Sequence, residues 1–220
     1  MRNLLSVVKE DILNFFNQNS EIFFNERDLQ MHLSLWLKQS KNNYDDTDIE
    51  YYVPQNELDE YKWDNELRID IVVKKEEEFL PIEIKYKTKK VELKINRFGE
   101  KLNQNVTVIK NQSAQDLGKY GFWKDIKRLE LICKRFKNVK NGVAVFLTND
   151  QSYTKESSPS SNCYNFNMNE GLHSTNKQWL NKETQCAKEN IGFELDKEYH
   201  IYWNCYKIKN IKFYYCITEI

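Results

Sequence analysis

Two β-prone runs joined by a charged turn constrain this chain more than any other stretch. Leu67, Ile69, Ile71 and Val73 recur at every second position, and after Lys74 to Glu78 so do Ile82, Ile84 and Tyr86. Side chains alternate faces along a strand, so the pattern predicts a β-hairpin over 66–88. The opposite faces carry Arg68 and Asp70, then Glu83, Lys85 and Lys87. With the turn centred between Glu76 and Glu77, Asp70 lies across from Glu83, and Arg68 across from Lys85. Directly opposed Cβ atoms sit about 4.5–5.5 Å apart. Two carboxylates that close repel unless a cation or a proton lies between them. Mg²⁺ suits such a place, because it prefers oxygen ligands and is often held by one or two carboxylates plus substrate phosphates. A hairpin with one solvated, charged face meets the same pattern, and a one-residue slip turns Asp70 to the other face.

Charge distribution adds a second clue. The 220 residues carry zero formal net charge, 40% hydrophobic and 30% charged residues. From Asp45 to Glu83 there are fourteen acids against four bases, and from Lys85 to Lys140 sixteen bases against five acids. A basic tract that begins where the acidic hairpin ends points to a polyanionic partner, although a solvated surface has the same composition. No apolar run approaches the roughly 18 residues of a membrane span. The patch that follows Met1 and Arg2 is too short for a signal peptide. Both readings predict a cytoplasmic protein without a membrane partner. Cys133, Cys163, Cys186, Cys205 and Cys216 form no CxxC pair and are odd in number, which reads as free thiols.

Along the chain, residues 4–18 read as an amphipathic packing helix. A second helix begins near Glu26, with Asn25 as N-cap and Asp28 three residues on. At about 100° per residue, Glu26 and Gln30 fall within the stripe of Leu29, Leu33 and Leu37. An acid there needs a partner or a polar site, unless it faces solvent at the helix end and answers the dipole. Residues 48–54 read as a short strand and 55–65 as a loop. Residues 89–112 read as an excursion with minor strands. Ser113 caps a further expected helix that runs to Phe136, with Phe122, Ile126, Leu129 and Cys133 on one side. Lys124, Lys127, Arg128, Lys134 and Arg135 lie on the other side, either solvated or facing phosphates, and Gly118 and Gly121 suggest a kink. The apolar run 142–149 reads as a doubly covered strand, parallel to a hairpin strand. A flexible Ser-rich loop over 151–162 and a closing hairpin from Tyr199–Lys207 and Ile211–Thr218 complete the expectation.

Helix, strand, hairpin, helix and strand, with Glu26, Asp70 and Glu83-Ile84-Lys85 in those places, resemble the PD-(D/E)XK nuclease superfamily over about residues 20–150. Ile69 stands where the motif's name has Pro. The resemblance implies a single α/β domain over 1–220. Its restriction-endonuclease-like αβββαβ core would hold a mixed central sheet flanked by helices, with 151–220 as a C-terminal β-rich elaboration. It implies Mg²⁺-dependent phosphodiester hydrolysis, with Mn²⁺ as substitute, by an endonuclease that acts on DNA ahead of RNA. Carried over by residue, Asp70, Glu83 and the backbone carbonyl of Ile84 would bind the metal, and Lys85 would position or activate the attacking water. Glu26 would be the first-helix acid, and Gln30, Gln115 and Tyr120 would support the site. Gln115 and Tyr120 are one residue further apart than the usual Gln-x-x-x-Tyr. Lys87, Lys119, Lys124, Lys127 and Arg128 are the expected nucleic-acid contacts. A homodimer is left open. The rival expectations are a catalytically inactive, nuclease-like module that holds nucleic acid or protein, and a purely structural domain.

Overall fold

The computed structural model describes residues 3–63 and 66–220. Met1 and Arg2 of the N-terminal patch, and Asp64 and Asn65 at the end of the expected 55–65 loop, lie outside the described residues. Two side-chain-capped helices come first. The Asn3 side chain accepts the Ser6 amide at 2.8 Å and opens α1 (Leu4–Gln18). Asn25 accepts the Asp28 amide at 2.9 Å and opens α2 (Glu26–Lys38), while the Asp28 carboxylate takes the Phe24 amide at 2.8 Å. Amides that a first helical turn leaves unpaired are thereby satisfied. Val8, Ile12 and Phe16 of α1 and Leu29, Leu33 and Leu37 of α2 pack into one core with Ile71, Val73, Ile82, Ile84 and Val145.

Those last residues belong to a mixed, six-stranded sheet. It holds β1 (Asp46–Val53), β2 (Leu67–Lys75) and β3 (Glu78–Lys87), then an excursion. The excursion has two small ribbons: β4 (Val91–Leu93) pairs with β7 (Val106–Ile109), and β5 (Asn96–Arg97) pairs with β6 (Glu100–Lys101). α3 (Gln115–Arg135) then carries the chain back to β8 (Val143–Thr148), which pairs parallel with β3 from Ile82↔Val143 to Lys87↔Thr148. A helical crossover of this kind is what a parallel pair requires. All six residues of β8 are buried, as a strand covered on both faces demands. No helix among the described residues is long and apolar enough to cross a membrane.

The C-terminal third departs from expectation. β9 (Gly171–His173) and β12 (Tyr199–Ile201) pair with each other, as do β10 (Asn176–Lys177) and β11 (Phe193–Glu194), with a short α4 (Gln185–Glu189) between. The closing hairpin is therefore narrower than predicted, because Tyr199–Ile201 pairs with β9; it consists of β13 (Asn204–Ile208) and β14 (Ile211–Glu219). β14 pairs antiparallel with β8, so the full sheet order is β1-β2-β3-β8-β14-β13. The elaboration expected over 151–220 thus contributes two strands to the central sheet. The Ser-rich stretch is not a loose loop at its start, where Asp150 caps a 3₁₀ turn over Gln151–Thr154 and Tyr153 is 1% exposed. Nor does Ser113 cap α3: Ala114 holds that position with φ 64°, and no side chain caps it. On this face of the sheet Tyr120, Phe122, Trp123 and Ile126 of α3 pack with Phe146, Phe166, Trp179, Phe193 and Tyr199. All five cysteines are free.

Candidate functional site at the fork between two strands

The β2–β3 ladder runs from Lys75↔Glu78 to Ile71↔Ile82 and then stops. The next step would oppose Asp70 to Glu83, in the register read from the sequence. There the strands open, and side chains replace the backbone ladder. The Asp70 carboxylate accepts the Ile84 amide at 2.6 Å, and Glu83 Oε2 lies 3.4 Å from the Asp70 amide. Two residues further along β3, the Glu26 carboxylate accepts the Tyr86 amide at 2.7 Å. Acids thus take strand amides that β2 no longer pairs. The amide and carbonyl of one strand residue project toward the same edge, so the Ile84 carbonyl also faces the fork. The expected opposition of Arg68 and Lys85 does not form, because the ladder has ended; Arg68 turns to Glu66 at 2.9 Å.

Both layers reach the fork. From α2, the buried Gln30 side chain donates to the Asp70 carbonyl at 2.7 Å and to Glu50 Oε1 at 3.1 Å. Glu50 is the β1 residue missing from the β1–β2 pairs, and its φ is 52°. From α3, Asp125 Oδ2 lies 2.9 Å from Lys85 Nζ. Arg128 Nη1 stands 3.4 Å from Glu83 Oε1 and 3.2 Å from Asp125 Oδ1, and its Nη2 donates to the Arg68 carbonyl at 3.1 Å.

These contacts set the protonation states. Burial pushes the Asp70 carboxyl up to about 7, against the Ile84 amide and Lys85, which favour its charged form. Burial also raises Glu83 well above the usual carboxylate range, with Arg128 opposing. For Lys85 burial favours loss of the proton, but Asp125, Glu26 and Glu83 together outweigh it and hold the ammonium above its ordinary value. Four carboxyl groups, Glu26, Asp70, Glu83 and Asp125, face Lys85 and Arg128, and burial favours protons on Asp70 and Glu83 that a divalent cation would displace. Among the described residues no donor reaches Asp70 Oδ1 or Glu26 Oε1, and Glu83 Oε1 is buried without a hydrogen bond. Hard carboxylate oxygens of this kind fit Mg²⁺ held by one or two carboxylates. No group of three or more His, Cys, Asp or Glu side chains converges as a ready cation cage among the described residues.

The remaining residues singled out by sequence fall elsewhere. Gln115 is exposed and donates to Asp150 at 2.8 Å. Tyr120 sits in the aromatic core, taking a hydrogen bond from Trp63 at 2.8 Å and giving one to the Ile191 carbonyl at 3.0 Å. Of the basic side expected on α3, Lys127 and Arg128 are buried at 7% exposure each, whereas Lys134 and Arg135 stay exposed and pair with Asp196 and Glu57; Lys119, expected as a nucleic-acid contact, is 5% exposed. Lys119 donates to Ser157 at 2.6 Å and Lys127 to Asp196 at 2.8 Å, so the C-terminal segment covers what a lone helix would show to solvent. Lys124 stays half-buried within the field of Asp125, Arg128 and Lys85, and Lys87 half-buried at the end of β3. The sequence reading missed Asp125, Arg128 as partner of Glu83, and Glu50. A signal for Asp125 was present: it lies three residues after Phe122 and four before Leu129, on the apolar stripe, as Glu26 does on α2.

In comparisons with protein-family models, with curated proteins and with solved structures, nothing matches this chain.

Proposed function

We propose that this chain hydrolyses phosphodiester bonds of nucleic acid with Mg²⁺, or Mn²⁺ in its place, as a DNA endonuclease. Its core would be the restriction-endonuclease-like αβββαβ unit of α2, β1, β2, β3, α3 and β8. The observation that supports this is the fork itself, where four carboxyl groups crowd two cations and, among the described residues, Asp70 Oδ1 and Glu26 Oε1 accept no hydrogen bond. Asp70, Glu83 and the Ile84 carbonyl would hold the cation. A bound divalent cation lowers the pKa of water and offsets charge on a phosphate. Lys85, held protonated by its carboxylate neighbours, acts as a fixed positive charge toward the phosphate rather than as a base. Gln30 positions Asp70 through its carbonyl. Lys87 and Lys124 are the basic residues left to meet phosphates near the fork.

The test is cleavage of plasmid and linear DNA in Mg²⁺. Asp70→Asn and Glu83→Gln should lose more than about a hundredfold in rate, in line with loss of a preorganised electrostatic group, while keeping the parental circular dichroism. Cutting by pure Asp70→Asn at the parental rate would refute the assignment. One observation favours a second reading, a binding module without turnover: Arg128 and Asp125 already pair with Glu83 and Lys85. That reading expects salt-sensitive DNA binding with no Mg²⁺-dependent products.

A further inference from the structure

The excursion that leaves β3 carries a feature the cleavage chemistry does not use. β5 and β6 form a ribbon with Arg97 opposite Glu100 and only Phe98 and Gly99 between them. Both turn residues have positive φ, 51° and 84°. A two-residue turn of this kind favours Asn-Gly, Asp-Gly or Gly-Gly. A bulky residue in the left-handed region is an outlier that costs stability. The side chain placed there gains nothing from packing, since Phe98 is 105% exposed, the fullest exposure of any large hydrophobic residue described. Lys94, Arg97 and Lys101 are exposed around it, and no carboxylate lies within ion-pair distance of them among the described residues. The arm is tied down beside the fork: the Arg97 guanidinium lies 5.0 Å from the centre of the Phe24 ring, two residues before Glu26.

We propose that this hairpin is a nucleic-acid wedge, in which Phe98 inserts between bases while Lys94, Arg97 and Lys101 lie along the phosphates. The proposal rests on the nucleic-acid reading of the fork and adds how the strand is gripped. An apolar wedge between base steps, carried on a basic arm, unstacks and bends a duplex. The exposed ring meets the π-faces of the bases, and the bases' phosphates meet the flanking cations, so one ligand answers both features.

The experiment uses the whole chain and a duplex carrying 2-aminopurine, in EDTA at low salt, so that no cutting occurs. The parent should raise 2-aminopurine fluorescence on binding. Phe98→Asn should abolish that rise and weaken binding about five- to 150-fold, the range for loss of one base–aromatic stack. Asn suits the turn, so its melting temperature should equal or exceed the parent's, and a loss of binding cannot be laid to unfolding. Phe98→Trp should retain the rise. A parent that does not bind the duplex, or Phe98→Asn that binds and unstacks it like the parent, overturns the wedge. Binding to anionic vesicles that depends on Phe98, with no response to the duplex, overturns it in favour of a membrane contact. Adding Mg²⁺ separates the two readings. A Phe98-dependent duplex response without products keeps the wedge and removes the hydrolysis. Products made equally by parent and Phe98→Asn do the reverse.

Discussion

Asp70 is where burial and charge compete most directly. In the unfolded chain its carboxyl titrates near 3.8, and in the folded protein near 7. Between those values the folded state binds more protons than the unfolded state, so stability falls as pH rises. The contribution is greatest below 3.8 and declines through about 7, and Glu83, also raised, acts in the same direction. The melting temperature of the metal-free protein should therefore drop from about pH 5 to pH 8, and Asp70→Asn should flatten that slope in scanning calorimetry. A divalent cation at the fork competes with the same proton. Mn²⁺ affinity should rise between about pH 6 and 8, with protons released, which calorimetric titration in buffers of different ionisation enthalpy would detect. Lys85 shows the opposite outcome of the same contest, because its carboxylate neighbours outweigh desolvation.

Among elements, α3 shows how a partner changes the meaning of a pattern. Gly118 and Gly121 suggested a kink, but Gly118 answers to packing. A Cβ at Gly118 would lie 2.4 Å from the Tyr153 hydroxyl, and one at Gly121 an ordinary 3.7 Å from Lys85 Cε. Gly118→Ala should cost about 1–3 kcal/mol in urea unfolding, as overpacking does. Tyr153→Phe removes that oxygen, which is buried and has no hydrogen-bond partner. The double variant should then recover part of the loss, a coupling that a double-mutant cycle reads. Gly121→Ala should be neutral or stabilising, since helix propensity favours Ala by about 1 kcal/mol. The apolar stripe of α3 was legible because local spacing determines it. Its basic side was misread at Lys127 and Arg128 because Asp196 and Glu83 are distant in sequence and close in space.

For the whole molecule, the C-terminal hairpin decides the architecture. β14 lies between β8 and β13, and its Tyr215 ring stacks on Phe16 of α1 at 4.4 Å. Phe213, Tyr215 and Cys216 are buried. A chain ending at residue 203 would expose the edge of β8 and one side of α1. It should lose cooperative thermal unfolding by circular dichroism, whereas removal of a mere appendage would leave a sharp transition.

The hairpin register, the first two helices with the Asn25 cap of the second, and the doubly buried strand were legible in the sequence, because each follows from contacts a few residues apart or from a period along one element. The convergence of α2 and α3 on the fork, the pairing of Asp125 and Arg128 with Lys85 and Glu83, and the entry of β14 into the sheet were decided only by tertiary structure. Those arrangements depend on which distant surfaces meet when apolar faces are buried together, and no local pattern carries that choice.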